Sequence, residues 1–344
     1  MKPLAGIIAN PISARDIRRV ISNAAGLQIT ERANIVLRVL ACLAVCGIED
    51  VVMMPDKGGI LAQVKRDMDR SVNRGEVQFP RVRYVDMPVT GEVADTHRAA
   101  MAMRTEGVSA IVVLGGDGTH RAVVTECGDI PVAGISTGTN NAFPEHREPT
   151  ITGLAVGLAI TGKVPEAIAY AYNKRISVFL NGKRREIALV DAVIVTDRYI
   201  GSRALWRTET FRELLVAFAS PEAIGMSAVA GLLEPIRRSE PEGLFVELAP
   251  IEQAKFSLLV PIAPGYVRPI GVQSWRRIKP NLAVIPVTRQ GSIALDGEKE
   301  LPFSESDYLE IVLEDRAFRT VNVAAIMNYA ATNLVMRNDS PEWR

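Results

Sequence analysis

Short apolar runs and longer amphipathic stretches take turns along the first half of the chain. "LAGIIAN" (Leu4 to Asn10), "DVVMMP" (Asp50 to Pro55), "RVRYVDM" (Arg81 to Met87), "SAIVVLG" (Ser109 to Gly115) and "PVAGIST" (Pro131 to Thr137) each predict a strand. Between them, "ERANIVLRVLACLAVC", "GGILAQVKRDMDRSV" and "EVADTHRAAMAMRTEG" place apolar residues three and four apart, the spacing of an amphipathic helix, and Gly107 is a helix stop. Strand, helix, strand, repeated, predicts a doubly wound α/β domain with a mostly parallel sheet. Its right-handed crossovers put ligands beyond the carboxyl ends of the strands. From about Tyr170 the texture changes to alternating, β-branched runs: "RISVFLNGKRREIALVDAVIVTD", "GLFVELAP", "AKFSLLVPI", "YVRPIGVQSW", "NLAVIPV", "GSIALDGE" and "YLEIVLED". Asn181-Gly182, between two apolar runs, signals a hairpin. A patch around "ALWRTETFRELLVAFAS" reads as helical. The tail "VNVAAIMNYAATNLVMR" reads as a helix that packs back on the first domain. The expected division is an α/β domain over 1–148, a β-rich, mostly antiparallel domain over 149–320 and a helical return over 321–344.

Composition narrows the function without naming it. At 344 residues the chain exceeds the roughly 250 to 300 residues at which single cores stop growing, which favours two cores. A hydrophobic fraction of 48% and a charged fraction of 23% are those of an ordinary globular protein. A formal net charge of +1 argues against a broad nucleic-acid-binding face. Three cysteines make no disulfide framework, and no charged-then-apolar leader precedes the first strand, so a cytoplasmic protein is expected. Cys42 and Cys46 read as buried thiols of an apolar helix face rather than as zinc ligands. The most apolar window, Val36 to Ile48, carries Arg38 and falls short of the ~18 to 20 apolar residues of a membrane span.

The candidate chemistry lies in "VVLGGDGTHRAVV". A strand that ends in Gly115-Gly116-Asp117-Gly118-Thr119 and opens a helix exposes backbone N–H groups without side-chain obstruction, and the helix N-terminus adds a field that favours an anion. That is a phosphate cradle. An aspartate repels phosphate, so Asp117 reads as a magnesium ligand, directly or through water, or as a base facing an acceptor hydroxyl. A tight turn with no ligand is the bland alternative. A second turn, "GISTGTNNAF", formally contains the G-x-S-x-G pattern of a hydrolase nucleophile elbow at Ser136. Such a triad needs an acid and then a histidine downstream, and the one histidine after Ser136 is His146, with no acid at a workable distance before it. The turn reads better as a second wall of a nucleotide site, with Thr139, Asn140 and Asn141 bonding phosphate, ribose or base.

Gly115 to Thr119, then Gly138-Thr139-Asn140-Asn141-x-Phe143, then Asp296-Gly297-Glu298, with an early Asn10-Pro11, together resemble the superfamily of NAD kinases, diacylglycerol kinases and sphingosine kinases. The likeness spans essentially the whole chain. "GTNNAFPE" and "DRYIGSRALW" are most similar to its acetoin catabolism protein X branch, which is ATP-NAD kinase-like. The resemblance implies an ATP-dependent, Mg2+-dependent phosphoryl transfer to a hydroxyl of a small molecule. Asn10, Gly115, Gly116, Gly118, Thr119, Gly138, Thr139, Asn140 and Asn141 would hold the nucleotide. Asp117 would organise the metal and the site, with Glu298 a second candidate for the base. It further implies a homo-oligomer.

Departures from the family pattern bear on the acceptor. No Asn-Glu dipeptide of the kind that grips the dinucleotide in NAD kinases occurs in the chain, and Val190-Asp191 stands in its place, which argues against NAD. Asn140 and Ala142 replace a glycine and an aspartate of lipid-kinase turns, and nothing in the charge balance suggests a membrane-docking face. Asp191, Arg203 and Asp296 are the acceptor-side candidates, Arg203 because a basic residue facing the cleft would hold an anionic acceptor. His120 reads either as a phosphate contact or as a capped or solvated histidine, Arg121 as a candidate phosphate contact, His97 as a residue of an exposed helix, and "GKRRE" as a solvated hairpin tip. The alternative class is a nucleotide- or dinucleotide-binding regulator that keeps the cradle and has lost the kinase activity.

Overall fold

A computed structural model describes residues 2–11, 27–74, 77–138, 141–197, 208–297 and 299–337. The first five predicted strands form: β1 (Ala5–Ala9), β2 (Asp50–Met53), β3 (Arg81–Tyr84), β4 (Ala110–Gly115) and β5 (Val132–Ser136). They lie in the order β3-β2-β1-β4-β5, all parallel. Every residue of β1 and β4 is buried, as continuous apolar strands covered on both faces must be. The covering helices are α1 (Ile29–Val45), α2 (Ile60–Arg74), α3 (Val93–Thr105), α4 (Asp117–Glu126) and α5 (Pro149–Ile160). α1, α2 and α5 enclose one core with Leu40, Leu43, Ile60 and Val156, and α3 and α4 a second with Met103 and Val123. Asp56 starts α2 by accepting from the amides of Ile60 and Leu61 at 3.1 and 2.7 Å. The three thiols are buried, and burial pushes Cys42 and Cys127 up to about 11. α1 and α5 approach closely because Gly157 faces Cys46; a Cβ on that glycine would lie 2.5 Å from the Cys46 Cβ.

Strand order reverses at β1: β2 and β3 lie to one side, β4 and β5 to the other. Such a switch point opens a crevice beyond the carboxyl ends of β1 and β4, where Asn10 and Gly115 follow.

A short α6 (Glu166–Ala169) leads into β6 (Tyr170–Leu180) and β7 (Lys183–Ala188), joined through Asn181 and Gly182, which both take positive φ as a two-residue hairpin requires. This hairpin extends the first sheet: β16 (Leu309–Val321) runs parallel to β5 and antiparallel to β6, completing the order β3-β2-β1-β4-β5-β16-β6-β7. The two-residue β13 (Ala283–Val284) pairs with β16. A second, wholly antiparallel sheet has the order β11-β12-β10-β9-β8-β14-β15. Its strands are β8 (Asp191–Val195), β9 (Phe211–Val216), β10 (Gly243–Ala249), β11 (Phe256–Ala263), β12 (Tyr266–Ile278), β14 (Gly291–Leu295) and β15 (Lys299–Phe303). Ile194, Leu215 and Phe245 face Ile176, Ile311 and Phe318 between the sheets, while Val193, Leu214 and Val246 pack on the other face under α7 (Ser227–Leu233). The final helix α8 (Val323–Thr332) returns to the first core through Val323, Ile326 and Ala330.

One reading is corrected. "FRELLV", expected to be helical, is β9, a central strand between β8 and β10. Both faces of it are buried, so Phe211, Leu214, Leu215 and Val216 show no period-two alternation and mimic a helical spacing. Among the described residues, no helix is long and apolar enough to cross a membrane.

Candidate active site

The chain leaves β4 at Gly115 and enters α4 at Asp117. Gly115 must lack a side chain: a Cβ there would lie 2.5 Å from the Thr119 Cβ, which folds back over the turn. Asn10, held to β4 by its amide bond to the Leu114 carbonyl at 3.2 Å, donates through Nδ2 to Thr119 Oγ1 at 3.2 Å. The buried Arg32 of α1 donates to the Asn10 carbonyl. The Asn-Pro step and the glycine turn, far apart in sequence, therefore close one site at the switch point.

The second turn is built onto the first. Thr137 N–H donates to the Gly115 carbonyl at 3.4 Å, and Asn141 Oδ1 lies where a Cβ on Gly116 would come within 2.8 Å. Ser136 Oγ donates to the Gly138 carbonyl at 3.1 Å and accepts from Asn141 Nδ2 at 2.9 Å. Those bonds commit the serine to the turn rather than to nucleophilic chemistry.

Asp117 sits at the first position of α4, almost fully buried, and its carboxylate accepts from the amides of Ala142 at 3.0 Å and Phe143 at 2.9 Å. The carbonyls of the same two residues accept from Arg238 Nη2 at 2.9 and 2.7 Å. Arg238 comes from the segment between α7 and β10, and its guanidinium stacks 4.9 Å from the Phe143 ring and 4.2 Å from the Phe218 ring. One dipeptide is thus gripped on its amide side by the α/β domain and on its carbonyl side by the β-rich domain. Lys174 Nζ, buried in β6, holds that β segment through the carbonyls of Glu242 at 2.6 Å and Arg237 at 3.3 Å. Arg238 and Lys174 carry no motif in sequence, and the signal that could have found them is only a basic residue in an otherwise β-rich stretch.

His120 is not solvated. It has no exposed surface, Nδ1 lies 2.9 Å from the Gly116 carbonyl, and its ring packs 5.7 Å from Phe143. Burial pulls its pKa down to about 4, so the ring is neutral, with Nδ1–H donating to Gly116. His97 is half-buried and reaches Glu126 at 3.1 Å. Arg121 turns away from the glycine loop: Nη1 donates to the Leu295 carbonyl at 3.1 Å and to Asp296 Oδ2 at 3.2 Å.

Asp296, after β14, takes a φ of 49°, a left-handed conformation that aspartate tolerates better than most residues. Its buried carboxylate accepts from the amides of Leu189 at 3.0 Å, Val190 at 2.9 Å and Asp191 at 3.4 Å. Burial pushes its carboxyl up, while Arg121 and these amides pull it down. Val190-Asp191, the pair that stands in the dinucleotide-gripping position, is therefore locked by its backbone to the "LDG" turn, and Asp191 is buried. Of the candidate residues, Asn10, Gly115, Gly116, Asp117, Gly118, Thr119, Gly138 and Asn141 converge at the switch point, and Asp191 and Asp296 are brought to α4 through Arg121. Thr139, Asn140, Arg203 and Glu298 lie outside the described residues.

Two of the cavities among the described residues lie on either side of the glycine turn. One, of about 190 Å³, is lined by Asn10, Pro11, Met54, Asp56 and Thr96 at the carboxyl ends of β1 and β2. The other, of about 380 Å³, lies on the far side of α4. Among the described residues no group of three His, Cys, Asp or Glu side chains is placed to hold a metal. Mg2+ commonly binds through one or two carboxylates, water and substrate phosphates, so Asp117 fits an ion that arrives with a nucleotide.

The fold and the paired glycine turns define a NAD kinase-like protein: residues 5–160 match the ATP-NAD kinase N-terminal domain, and residues 174–316 match the acetoin catabolism protein X C-terminal domain. The chain belongs to the acetoin catabolism protein X family. It is 53% identical over 340 residues to acetoin catabolism protein X of Cupriavidus necator, covering 98% of this chain and 94% of that one. An NAD kinase of Methanosarcina barkeri is 27% identical over 228 residues, 61% of this chain and 71% of that one. Among solved structures, a diacylglycerol kinase from Bacillus anthracis str. Sterne aligns over 93% of this chain and 96% of its own at 12% identity, with a TM-score of 0.45.

Proposed function

We propose that the protein is an ATP- and Mg2+-dependent phosphotransferase whose acceptor is a hydroxyl of a small molecule. The observation that carries this reading is the meeting of Asn10, the Gly115 to Thr119 turn and Asn141 at the switch point, with the "LDG" turn docked onto the same helix through Arg121. The backbone of Gly115, Gly116, Gly118 and Thr119, with Asn10, Gly138, Thr139, Asn140 and Asn141, would hold the donor's phosphates. The cavity beside Asn10 and Pro11 would take its nucleoside end. When bound, Mg2+ neutralises charge on the transferring phosphate, and Asp117 is the residue that would hold it. The acceptor oxygen attacks the terminal phosphorus, the bond to the bridging oxygen breaks, ADP departs, and the hydroxyl proton passes to a carboxylate, Glu298 in this reading. Asp296 holds the "LDG" turn that precedes Glu298 in sequence, and Asp191 and Arg203 would serve the acceptor. By the names of its relatives, the reaction belongs to acetoin catabolism, in a cytoplasmic homo-oligomer.

A second reading is favoured by one observation: the Asp117 and Asp296 carboxylates both serve main-chain amides, as they would in a binding protein that keeps the cradle for regulation. Thermal shift with Mg2+ plus ATP, ADP, NAD and NADP, followed by ADP release over a panel of alcohols, separates the two. Stabilisation of roughly 2.7 kcal/mol at ~100 times the dissociation constant of ATP, with acceptor-dependent ADP release, is the kinase outcome. Stabilisation by NAD or NADP alone, with no turnover, is the regulator outcome. Silence with every nucleotide would remove both.

A further inference from the structure

The larger cavity beside α4 is cationic, and two of its arginines, Arg184 and Arg185, take no part in the site described above. Its wall combines Gly118, Arg121 and His97 from the α/β domain with Arg184 and Arg185 from β7 and Lys299 from the start of β15. Among the described residues of the lining, Glu186 is the one carboxylate, and it is paired with Lys299 at 3.2 Å. Arg121 is engaged by Asp296. Arg184 and Arg185 make no ion pair among the described residues.

Backbone irregularity explains how two consecutive arginines of one strand reach one cavity. In a regular strand neighbouring side chains point to opposite faces. In the β6–β7 hairpin, Val178 pairs with Glu186 and Phe179 with Arg184, which leaves Arg185 as an extra, unpaired residue: a β-bulge. A bulge bends the strand and re-aims a side chain, and bulges are over-represented beside active sites. β7 is also the edge of the first sheet, so the bulge interrupts no ladder on its other side. The run "GKRRE", which reads in sequence as a solvated hairpin tip, is placed here beside the first turns of α4 and Lys299.

We propose that this cavity binds a phosphoryl anion carrying at least two phosphates, through Arg184 and Arg185 with Arg121 and Lys299 behind them. A volume of about 380 Å³ lies within the range of small-molecule pockets, and arginine forks suit phosphate oxygens. The inference deepens the phosphotransfer reading and rests on it for the identity of the ligand: a pyrophosphate group here belongs either to a phosphorylated acceptor or to the tail of the donor. The anion site itself stands on the cavity and its arginines.

The test is calorimetric titration of the full-length protein with inorganic pyrophosphate, at fixed ionic strength and without turnover. Wild type, Arg184→Ala/Arg185→Ala and a charge-matched control, Lys65→Ala/Arg66→Ala on the exposed face of α2, are compared, with circular dichroism to establish that each is folded. The expected result is binding to wild type and control, at least ten-fold weaker in the arginine variant. If saturating ATP displaces pyrophosphate, the site takes the donor's tail; if both bind together, it takes the acceptor's phosphates. Equal binding by the folded arginine variant, an equal loss in the control, or no binding to wild type would overturn the proposal. Acceptor-dependent ADP release with no pyrophosphate site would sink this inference and leave the kinase reading intact. A pyrophosphate site that depends on the arginines, in a protein that never turns over ATP, would do the reverse.

Discussion

Asp117, at the start of α4, and Asp296, bonded to Arg121 one turn further along it, perform the same mechanical task, and the difference between them separates scaffold from chemistry. Each carboxylate gathers main-chain amides of a distant turn: Ala142 and Phe143 for Asp117, Leu189 to Asp191 for Asp296. Asp296 adds a half-buried guanidinium, Arg121, while the Asp296 side chain itself has no exposed surface. Asp117 faces Arg238 across a peptide, because Arg238 binds the carbonyls of the residues whose amides Asp117 holds. The neutralised, sealed carboxylate suits a hinge pin between domains. The one at a helix N-terminus, next to Gly118 at the mouth of the crevice, suits a site that must also meet a cation.

The comparison breaks most sharply at Asp296. Asp296→Asn keeps a residue that accepts the left-handed backbone but removes the charge at a fully buried position, leaving the half-buried Arg121 without its carboxylate. The expected cost is about 3–5 kcal/mol, read from chemical denaturation. A cost below 1 kcal/mol would mean that the pair is not structural. Asp117→Asn turns an amide –NH2 toward one of the two backbone N–H donors and is expected to cost less stability, about 1–3 kcal/mol. Turnover should fall by about 10²–10⁴-fold, far more than the lost folded fraction explains. A fall that merely tracks the folded fraction would make the two aspartates equivalent.

Acid tests the Asp117 side through His120, which packs behind the same turn. Its folded pKa of about 4 lies below the ordinary 6.5, so the unfolded chain binds the proton first. The stability that depends on a neutral ring is complete above pH 6.5 and is lost as pH falls toward 4, by up to about 3 kcal/mol. Subtracting the pH profile of His120→Gln from that of wild type should isolate a slope in this window; identical profiles would show that His120 does not titrate with unfolding. The smallest effect is expected at Arg238. Arg238→Met retains bulk against Phe143 and Phe218 while leaving two carbonyls without their donor, for about 1–3 kcal/mol and a weaker thermal shift with ATP. An unchanged ATP response in a destabilised variant would confine Arg238 to packing.

Legibility followed the range of the interaction. β1 to β5 and their helices were readable because apolar runs and amphipathic stretches alternate locally, and Gly115 to Thr119 because the turn is contiguous. "FRELLV" misled because a strand buried on both faces loses its alternation. The bonding of Asp296 to Arg121, a separation of 175 positions, has no local signature. Nor does the union of β6, β7 and β16 with the parallel sheet, since any apolar strand with the right face can pair there.

By itself, the sequence determined the strand and helix alternation of the first half, the antiparallel character of the second, the Asn181-Gly182 hairpin and the positions of the glycine turns, because each depends on backbone preference and on neighbours within a few residues. Tertiary structure alone decided that Asp117 clamps Ala142 and Phe143, that His120 is buried and neutral, that Arg121 serves the "LDG" turn, and that a bulge brings Arg184 and Arg185 beside α4. Those outcomes rest on long-range hydrogen bonds and burial, which exist only once the two sheets have packed.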